Sequence, residues 1–374
     1  FPAFVKKKRG HSLMTDTQTN IKPPYEGWQP VYIKKVRGVG FWIAVGLASF
    51  FFLCTLSLFV LFIGSLVISK AFVTGSTTEE KKHVYETVVE GSSENKVAII
   101  SIKGILSNES AESLFIEKPS IVEIVKQQLE QAAGDTNVKA VLFEVDSPGG
   151  GITASDIIYN QITKFKTDTK KKVVVYMQDV AASGGYYISS AADAIVAHPT
   201  TITGSIGVIM PLVNVAELIS RYGIKDNSIA SGDMKEIGSP FKPMTTEESL
   251  ILKDIIDEMY MQFVSVVSTG RKLDIEAVKK LADGRIYTGK QALENGLVDQ
   301  LGYLEDAIGL TKKLTGLTEA TIVRYEKHYG LAELFGLMSA KLLQNNTIKL
   351  DLSQLQEQGS TKPMYLWNGY SRRE

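Results

Sequence analysis

The sequence VKAVLFEVDSPGGG, residues 138–151, joins an apolar run to a turn of glycines. Residues 138–145 are rich in Val, Leu and Phe and show little alternation with polar residues, which is typical of a strand buried on both faces of a sheet. The three glycines that follow lack a Cβ, so their backbone can adopt positive φ and approach a ligand closely. The stretch therefore predicts a buried strand that ends in a turn where a site can be built.

Runs of the same kind, separated by helical patterns, lie on both sides of this strand. Strands are predicted at residues 96–106, 138–145, 172–177 and 194–197. Helices are predicted after Ser120, at residues 154–165, after Ser183, and at residues 213–222 and 246–268. Ser120 and Glu123 form a capping box, the usual signature of a helix N-terminus. This alternation predicts an α/β fold with a largely parallel sheet.

The composition excludes several classes of function. The 374 residues include 41 basic and 41 acidic side chains, so no net charge attracts nucleic acid. Cys54 is the single cysteine, which excludes a disulfide framework, a zinc-cysteine site and a cysteine nucleophile. The sequence contains neither H-E-x-x-H nor a cluster of Cys and His ligands, so we expect no metal and no other cofactor.

Residues 41–69 contain no charged side chain, and roughly 20 apolar residues suffice to cross a bilayer. Lys34, Lys35 and Arg37 precede this stretch, so the positive-inside rule predicts a cytoplasmic N-terminus. A cleaved signal peptide is the alternative, but the apolar stretch is too long for one and no clear A-x-A site follows it.

The predicted organisation has five parts. These are a cytoplasmic tail at 1–40, a transmembrane helix at 41–69, a linker at 70–95, a catalytic domain at 96–330 and a C-terminal extension at 331–374. Residues 1–13 precede Met14, and they are either an upstream extension or a short basic tail. The extension could pack on the domain, meet a neighbouring chain or hang free, and the sequence does not choose among these.

Three glycine-containing turns follow predicted strands: DSPGGG at 146–151, AASGGYY at 181–187 and TGSIG at 203–207. None of them matches the phosphate-binding patterns G-x-G-x-x-G or G-x-x-x-x-G-K-[ST]. The remaining interpretation is an oxyanion hole, in which amides from two turns converge on the oxygen of a tetrahedral acyl-transfer intermediate. Ser183 lies between a strand and a helix, where it could be a nucleophile or merely a helix cap.

Four segments together resemble the bacterial signal peptide peptidase A family in its short, one-domain form. They are DSPGGGITASDIIYNQI, AASGGYYISSAADAIVAHPTTITGSIGVIM, SGDMKEIGSPFKPMT and GRIYTGKQALENGLVDQLG. The resemblance is collinear and covers about residues 95–312. It implies a Clp protease/crotonase-like spiral of repeated β-β-α units, preceded here by one N-terminal transmembrane helix.

The resemblance also implies roles for individual residues. Ser183 corresponds to the nucleophile, Lys235 to the general base and Ser205 to a serine that orients this lysine. Gly150 and Gly184 correspond to the oxyanion-hole amides. A lysine with its ordinary pKa of about 10.4 is protonated near neutral pH, so Lys235 must be desolvated to act as a base with a pKa of about 7 to 8.

Other charged residues near the motif raise two questions. Asp233 and Glu236 flank Lys235, and a carboxylate touching its ammonium group would raise its pKa, so we expect both to point elsewhere. His198 is the rival base, because the related Clp protease uses a Ser-His-Asp triad. The family pattern gives this histidine no proton-transfer role, which favours Lys235.

The resemblance implies a membrane-anchored serine endopeptidase that degrades released signal peptides. Its expected partners are peptide substrates, the lipid bilayer and further copies of the chain, with each site shared between neighbouring protomers. The expected location is the bacterial cytoplasmic membrane, with a single span and an extracytoplasmic catalytic domain. Two alternatives are an inactive membrane scaffold and a crotonase-type acyl-thioester enzyme, and coenzyme A is not expected outside the cytoplasm.

Overall fold

The computed structural model describes residues 38–74, 84–113, 116–327 and 362–367. The chain divides into two compact units, Phe1–Glu79 and Glu80–Glu374. In the first unit, helix α1 (Val39–Thr74) contains the whole uncharged stretch of the sequence. Over Val39–Phe62 this helix is long and apolar enough to cross a membrane, with a mean hydropathy of 2.4. Residues 1–37, with the basic cluster, lie outside the described residues.

The second unit alternates strands and helices. Its strands are β1 Val84–Glu90, β2 Lys96–Lys103, β3 Ala111–Ser113, β4 Ile116–Lys118, β5 Val138–Ser147, β6 Gly149–Gly151, β7 Lys172–Ala182, β8 Ala194–Ala197, β9 Ile202–Gly204, β10 Ile286–Thr288, β11 Gln300–Leu301, β12 Thr321–Lys327 and β13 Met364–Leu366. Its helices are α2 Ile121–Gly134, α3 Ile152–Thr169, α4 Gly184–Ser189, α5 Ala216–Arg221, α6 Thr246–Arg271, α7 Ile275–Leu281, α8 Gly289–Glu294 and α9 Leu304–Thr315, with a 3-10 helix at Asp233–Glu236.

The main sheet is largely parallel, as predicted. Its strands follow the order β1-β12-β2-β5-β7-β8-β11, and β9 also pairs with the end of β7. All neighbours along this path are parallel except β1 and β12, and β10 pairs antiparallel with β9. The α/β fold class predicted from the alternating pattern is therefore confirmed.

The central strands are buried on both faces, which explains their unbroken apolar runs. Ile100, Phe143 and Val175 point to one face and pack in the larger core with residues of α2, α3, α4 and α6. Ile99 and Leu142 point to the other face and pack in a second cluster with residues of α9. Because both layers are filled, the sheet is a rigid support for the turns at its carboxyl edge.

The capping box predicted at Ser120 and Glu123 is present at the start of α2. The Ser120 hydroxyl accepts a hydrogen bond from the Glu123 amide at 3.3 Å, and the Glu123 carboxylate accepts one from the Ser120 amide at 3.0 Å. The same reciprocal arrangement joins Thr245 and Glu248 at the start of α6. These caps satisfy amides that have no partner inside their helices.

Several element boundaries differ from the sequence expectations, and two cases show why. Helix α5 begins at Ala216 instead of residue 213, because the Val215 amide donates to the Pro240 carbonyl at 2.7 Å, and the Asn214 side chain accepts from the Ala216 amide. Strand β1 lies within the segment expected as a linker and pairs antiparallel with β12. Pairing across a long sequence separation depends on tertiary contacts, which local propensity does not report.

Candidate active site

Ser183 lies at the junction of β7 and α4 in a strained backbone conformation. Its φ is +52°, which is uncommon for a residue with a Cβ, and its side chain is almost fully buried at 1% exposure. The Ser183 amide donates to the Gly204 carbonyl at 2.8 Å, which holds the turn against β9. The hydroxyl forms no cap hydrogen bond with α4. The helix-cap interpretation is therefore not supported.

Ser205 has the same unusual backbone conformation, with φ of +50°. It directly follows Gly204, and its amide donates to the Arg285 carbonyl at 2.8 Å. Among the described residues with a Cβ, the others at positive φ are Lys170 and Lys272, which are left-handed C-caps of helices. Strain that no helix end explains thus coincides with the two serines that the sequence singled out.

The glycine turn after β5 forms the short strand β6, which lies between two other segments. On one side, Leu106 forms a parallel bridge with Gly150; its amide donates to the Gly149 carbonyl, and its carbonyl accepts from the Gly151 amide, both at 2.8 Å. A Cβ on Gly150 would overlap the Leu106 backbone. The close approach therefore requires glycine at this position. On its other side, β6 pairs antiparallel with β13.

The two turns predicted to form an oxyanion hole come together. A Cβ built on Gly149 would lie 2.6 Å from the Gly184 amide nitrogen, and one built on Gly184 would lie 3.1 Å from the Gly149 Cα. Ser155 packs beside them, and its hydroxyl donates to the Gly151 carbonyl at 3.0 Å. The backbone that follows β5 thus approaches the backbone that follows β7 so closely that a Cβ would not fit between them.

The C-terminal strand β13 lies beside these turns and pairs with β6, and we call the space that it fills the groove. Tyr365 is paired with Gly150, and its carbonyl oxygen lies 3.2 Å from the position that a Cβ on Gly184 would take. The Trp367 amide extends the pairing by donating to the Pro148 carbonyl at 2.9 Å. Strand β13 thus lies extended along the glycine turns, with the Tyr365 carbonyl oxygen close to them.

The Tyr365 side chain fills an aromatic pocket. It stacks on Tyr187, with ring centroids 5.1 Å apart, and lies 4.7 Å from the ring of Phe263. Its hydroxyl donates to the Met259 carbonyl at 2.8 Å, and burial raises the pKa of this phenol, so it remains protonated. The pocket thus combines apolar walls with one hydrogen-bond acceptor.

A polar triad supports one wall of this pocket. The Tyr187 hydroxyl donates to the Asp156 carboxylate at 2.7 Å, and the Gln262 amide donates to the same oxygen at 3.0 Å. Burial and the bond to Asp156 raise the pKa of Tyr187. The neighbouring Tyr186 points into the core and donates to the Leu297 carbonyl at 2.8 Å. Tyr187 therefore lines the groove, whereas Tyr186 packs in the core.

A cavity of about 570 Å³ adjoins the groove. Its lining includes Ser205, Ile209, Tyr260, Leu366 and Trp367. It therefore connects the strained turn at Ser205 with the residues of β13 that follow Tyr365. Asp283 lies at this cavity, and its bonds to Arg285 lower its carboxyl pKa to about 2.

Lys235 lies in the 3-10 helix, within a segment of residues 211–245 that we call the arm. Most of the arm is exposed, and Lys235 itself is exposed. Within the described parts of the chain, no hydrogen bond joins Lys235 to Ser183 or Ser205. The structure thus brings the two serines and the glycine turns together and leaves the predicted base outside them.

His198 is held at the end of β8 by other contacts. Its Nδ1 lies 2.8 Å from the Thr200 hydroxyl, and its ring packs edge-on against Tyr303. These contacts are those of a structural histidine. In the part of the chain that the structure describes, no group of three His, Cys, Asp or Glu side chains could hold a metal ion.

Several residues of the groove carry no recognisable sequence signal. Leu106, Asp156 and Phe263 look like ordinary helix or strand positions, and Tyr365 lies in an extension whose placement the sequence left open. The aromatic residues of PMYLW, near the C-terminus, were the available hint for Tyr365. Contacts between distant segments decide all four positions.

Comparisons with known proteins agree with this geometry. Peptidase family S49 matches residues 165–318. The "Putative signal peptide peptidase SppA" of Enterococcus faecium is 37% identical over 356 residues, covering 88% of this chain and 98% of that relative. "Protease 4" of Haemophilus influenzae is 34% identical over 230 residues, 62% of this chain and 36% of the relative. "Serine protease SPPA, chloroplastic" of Arabidopsis thaliana is 33% identical over 220 residues, 59% and 32% of the two chains.

The Enterococcus relative is matched along nearly its whole length, and the strained serine turn and the glycine turns lie in the matched region. The Clp protease/crotonase-like fold expected of this family agrees with the parallel sheet described above. The chain therefore belongs to peptidase family S49, the signal peptide peptidase A family, and is a serine peptidase.

Proposed function

We propose that this chain is a membrane-anchored endopeptidase that degrades released signal peptides with a Ser183–Lys235 dyad. The observation that carries the proposal is the pairing of Met364–Leu366 with Gly149–Gly151. Adding a strand to an exposed edge is a general way to bind extended peptides, because backbone hydrogen bonds give affinity and pockets select side chains. A substrate in the position of β13 would present a peptide carbonyl to Gly150 and Gly184.

Acylation follows from this arrangement. The Ser183 oxygen attacks the substrate carbonyl carbon, and its proton passes to the neutral amine of Lys235. The amides of Gly150 and Gly184 donate to the oxyanion that forms. Collapse of the intermediate breaks the C–N bond, and the ammonium group of Lys235 returns the proton to the leaving amine. Water attacks the acyl-enzyme by the same route and releases the acid.

Ser205 would orient the base. Its positive φ and its position next to Gly204, the hydrogen-bond partner of the Ser183 amide, fix its Cβ beside the nucleophile turn. A hydroxyl can accept a hydrogen bond from an ammonium group or donate one to a neutral amine. Ser205 could therefore hold Lys235 in either protonation state.

The exposure of Lys235 in a single chain supports a site shared between protomers. An exposed lysine is protonated near neutral pH, so burial at an interface would be needed to make it a base. The arm also exposes large apolar side chains, which soluble chains seldom display together unless a partner covers them. These are Val213, Leu218, Tyr222, Ile224, Ile229 and Phe241. A closed ring in which each arm reaches the next protomer would bury both Lys235 and these apolar side chains.

The membrane placement is supported by α1 and by its flanks. Val39–Phe62 is long and apolar enough to span a bilayer, and the basic residues Lys34, Lys35 and Arg37 favour a cytoplasmic N-terminus. The catalytic domain would then lie outside the bacterial cytoplasm. The aromatic pocket at Tyr365 suits apolar peptides, of which released signal peptides are a class, and the Enterococcus relative is named for that substrate.

The proposal is tested on the full chain in detergent or liposomes. A serine-reactive phosphonate should label wild type but not Ser183→Ala, and a synthetic signal peptide should be cleaved by wild type alone. Lys235→Ala should lose activity by about 10⁴-fold or more, as other enzymes do when one member of a catalytic unit is removed. Full cleavage by Lys235→Ala would rule out the dyad.

Mixing two inactive variants tests whether the site is shared. If Ser183→Ala and Lys235→Ala subunits assemble at random into a ring, about one quarter of the sites combine an intact serine with an intact lysine. Recovery of about a quarter of wild-type activity would support the shared site. No recovery, with mixed assemblies demonstrated by differently tagged subunits, would mean that both residues act within one chain.

A further inference from the structure

The arm that carries Lys235 is held to the fold at few places. Its elements are the six-residue helix α5 and the 3-10 helix, and neither contains a buried residue. An exposed segment with little packing gains its position from specific polar contacts. The contacts at the two ends of the arm therefore decide where the 3-10 helix lies.

The two ends of the arm are joined to each other. The Val215 amide donates to the Pro240 carbonyl at 2.7 Å, and the Asn214 side-chain amide donates to the Lys242 carbonyl at 2.6 Å. These two bonds join the two ends of the arm and close it into a loop. Lys242 lies at this junction, seven residues after Lys235 in the sequence.

Lys242 also joins this junction to α6 through an ion pair. Its ammonium group lies 2.7 Å from the carboxylate of Glu248, a side chain that is only 2% exposed. The other carboxylate oxygen accepts from the Thr245 amide at 2.9 Å within the helix cap. A buried carboxylate is costly unless it is paired and hydrogen-bonded, so this ion pair is a specific anchor. Its hydrogen bond lowers the pKa of Glu248 and raises that of Lys242, so both remain charged near neutral pH.

Lys242 also lies within the field of the two carboxylates that flank the predicted base. Glu236 and Asp233 both act on Lys242 and raise its pKa further. No ion pair within 4.0 Å links Lys235 to a carboxylate anywhere in the described ranges.

We propose that Lys242 and Glu248 are positioning residues for Lys235, the proposed general base: their ion pair anchors the arm to α6. The inference rests on the proposed function, because it concerns how Lys235 is delivered to a serine. Neither residue needs to touch the substrate. Their effect is on the position of Lys235.

The test compares substitutions at the pair in the full-length assembled protein. Lys242→Met removes the ion pair and the charge, and Glu248→Gln removes the ion pair while glutamine can still form the helix cap. Both should lower kcat by about tenfold or more, since displacing a catalytic group by about 1 Å can cost ~10²-fold. KM should change by less than about twofold, because the groove at Tyr365 is untouched. Lys242→Arg should keep kcat within about threefold.

The conservative variant separates positioning from general destabilisation. Arginine can keep the ion pair with Glu248, so kcat should recover in Lys242→Arg and stay low in Lys242→Met when equal amounts of folded protein are compared. A loss of folded protein alone would lower the apparent kcat only in proportion to the unfolded fraction.

The matched control is Lys96→Met. Lys96 is another partly buried lysine, with 23% side-chain exposure compared with 30% for Lys242, and it bridges Glu86 and Asp135 far from the arm in sequence. This control should lower the melting temperature but leave kcat unchanged. Unchanged kcat in both Lys242→Met and Glu248→Gln, with Lys235→Ala inactive, would overturn the positioning role alone. Full activity of Lys235→Ala would instead overturn the proposed function.

Discussion

The turn at Ser183 is tightly packed within the chain, whereas the arm that carries Lys235 is largely exposed. Ser183 is buried in a turn at the carboxyl edge of the sheet, and the glycine turn of Gly149–Gly151 is fixed between Leu106 and Tyr365. Lys235 lies on an exposed segment whose apolar side chains include Tyr222, with 77% exposure. Residues of the same chain pack around the turn at Ser183. The arm instead exposes apolar side chains of the kind that a partner usually covers.

This difference suggests how a serine peptidase can keep its activity dependent on assembly. A lysine in water is a cation and cannot accept the serine proton, whereas the same lysine at a dry interface can. Under the proposed dyad, the buried turn at Ser183 would be ready in each chain, and Lys235 would become competent as a base only where another surface covers the arm. The two regions therefore predict different responses to substitution.

The largest effect is expected from charges placed on the arm. Leu218→Asp combined with Tyr222→Asp should separate the assembly into single chains and reduce kcat/KM by about 10⁴-fold, comparable to removing a member of a catalytic unit. Analytical ultracentrifugation and signal-peptide cleavage measure the two outcomes. Leu314→Asp, at an exposed position of α9, should affect neither. Fully active single chains would break the contrast between the two regions.

The next largest effect is expected at the glycine turn. Gly150→Ala should reduce kcat by about 10² to 10³-fold, the usual cost of losing one oxyanion donor, because its Cβ would overlap Leu106 and displace the amide. Gly151→Ala is the matched control, since its Cβ would lie at an ordinary 3.7 Å from the Leu106 carbonyl oxygen and its φ is −63°. Equal kcat values for these two variants would contradict the assignment of Gly150.

In the proposed mechanism Ser205 orients Lys235, and its substitution should have an intermediate effect. Ser205→Ala should lower kcat by about 10- to 100-fold by releasing Lys235 from its orientation, with little change in melting temperature. Ser190→Ala removes another buried hydroxyl, which donates to the Tyr186 carbonyl, and should leave kcat unchanged. Steady-state kinetics on both variants decides whether the hydroxyl at 205 acts on the base.

The smallest effect is expected from removal of the tail. Deletion of residues 362–374 should raise kcat/KM for short peptides by about 3- to 30-fold, because a tethered segment competes with substrate at a high effective concentration. The gain should appear mainly as a lower KM. Lys362→Ala breaks only an exposed ion pair with Glu109 and should have no effect. An unchanged KM after deletion would show that substrates bind elsewhere.

Much of the fold could be predicted from local patterns. The runs at residues 96–106, 138–145 and 172–177 became β2, β5 and β7, because strands buried on both faces require unbroken apolar sequence. The capping box at Ser120 was predicted because it satisfies helix amides within four residues. Element ends were less accurate, as at α5, where contacts with Pro240 outweigh helical periodicity.

The candidate site was partly predictable for a related reason. Ser183 and Ser205 occur in short glycine-containing motifs, since a strained turn constrains its own neighbours in the sequence. Tyr187 and Tyr365 have no such signature, because their roles depend on stacking between segments far apart in the chain. The roles of all the motif residues remain predictions that the substitutions above test.

Local sequence patterns were enough to predict the parallel α/β architecture, the apolar helix α1, the glycine turns and the serine at the end of β7, because each depends on residues that are close together in the chain. They did not predict that Tyr365 fills the groove, that Lys242 is anchored to Glu248 or that Lys235 is exposed in one chain, because these features depend on tertiary contacts. The physical reason is that burial and ion pairing are properties of the packed surface, which distant segments create together.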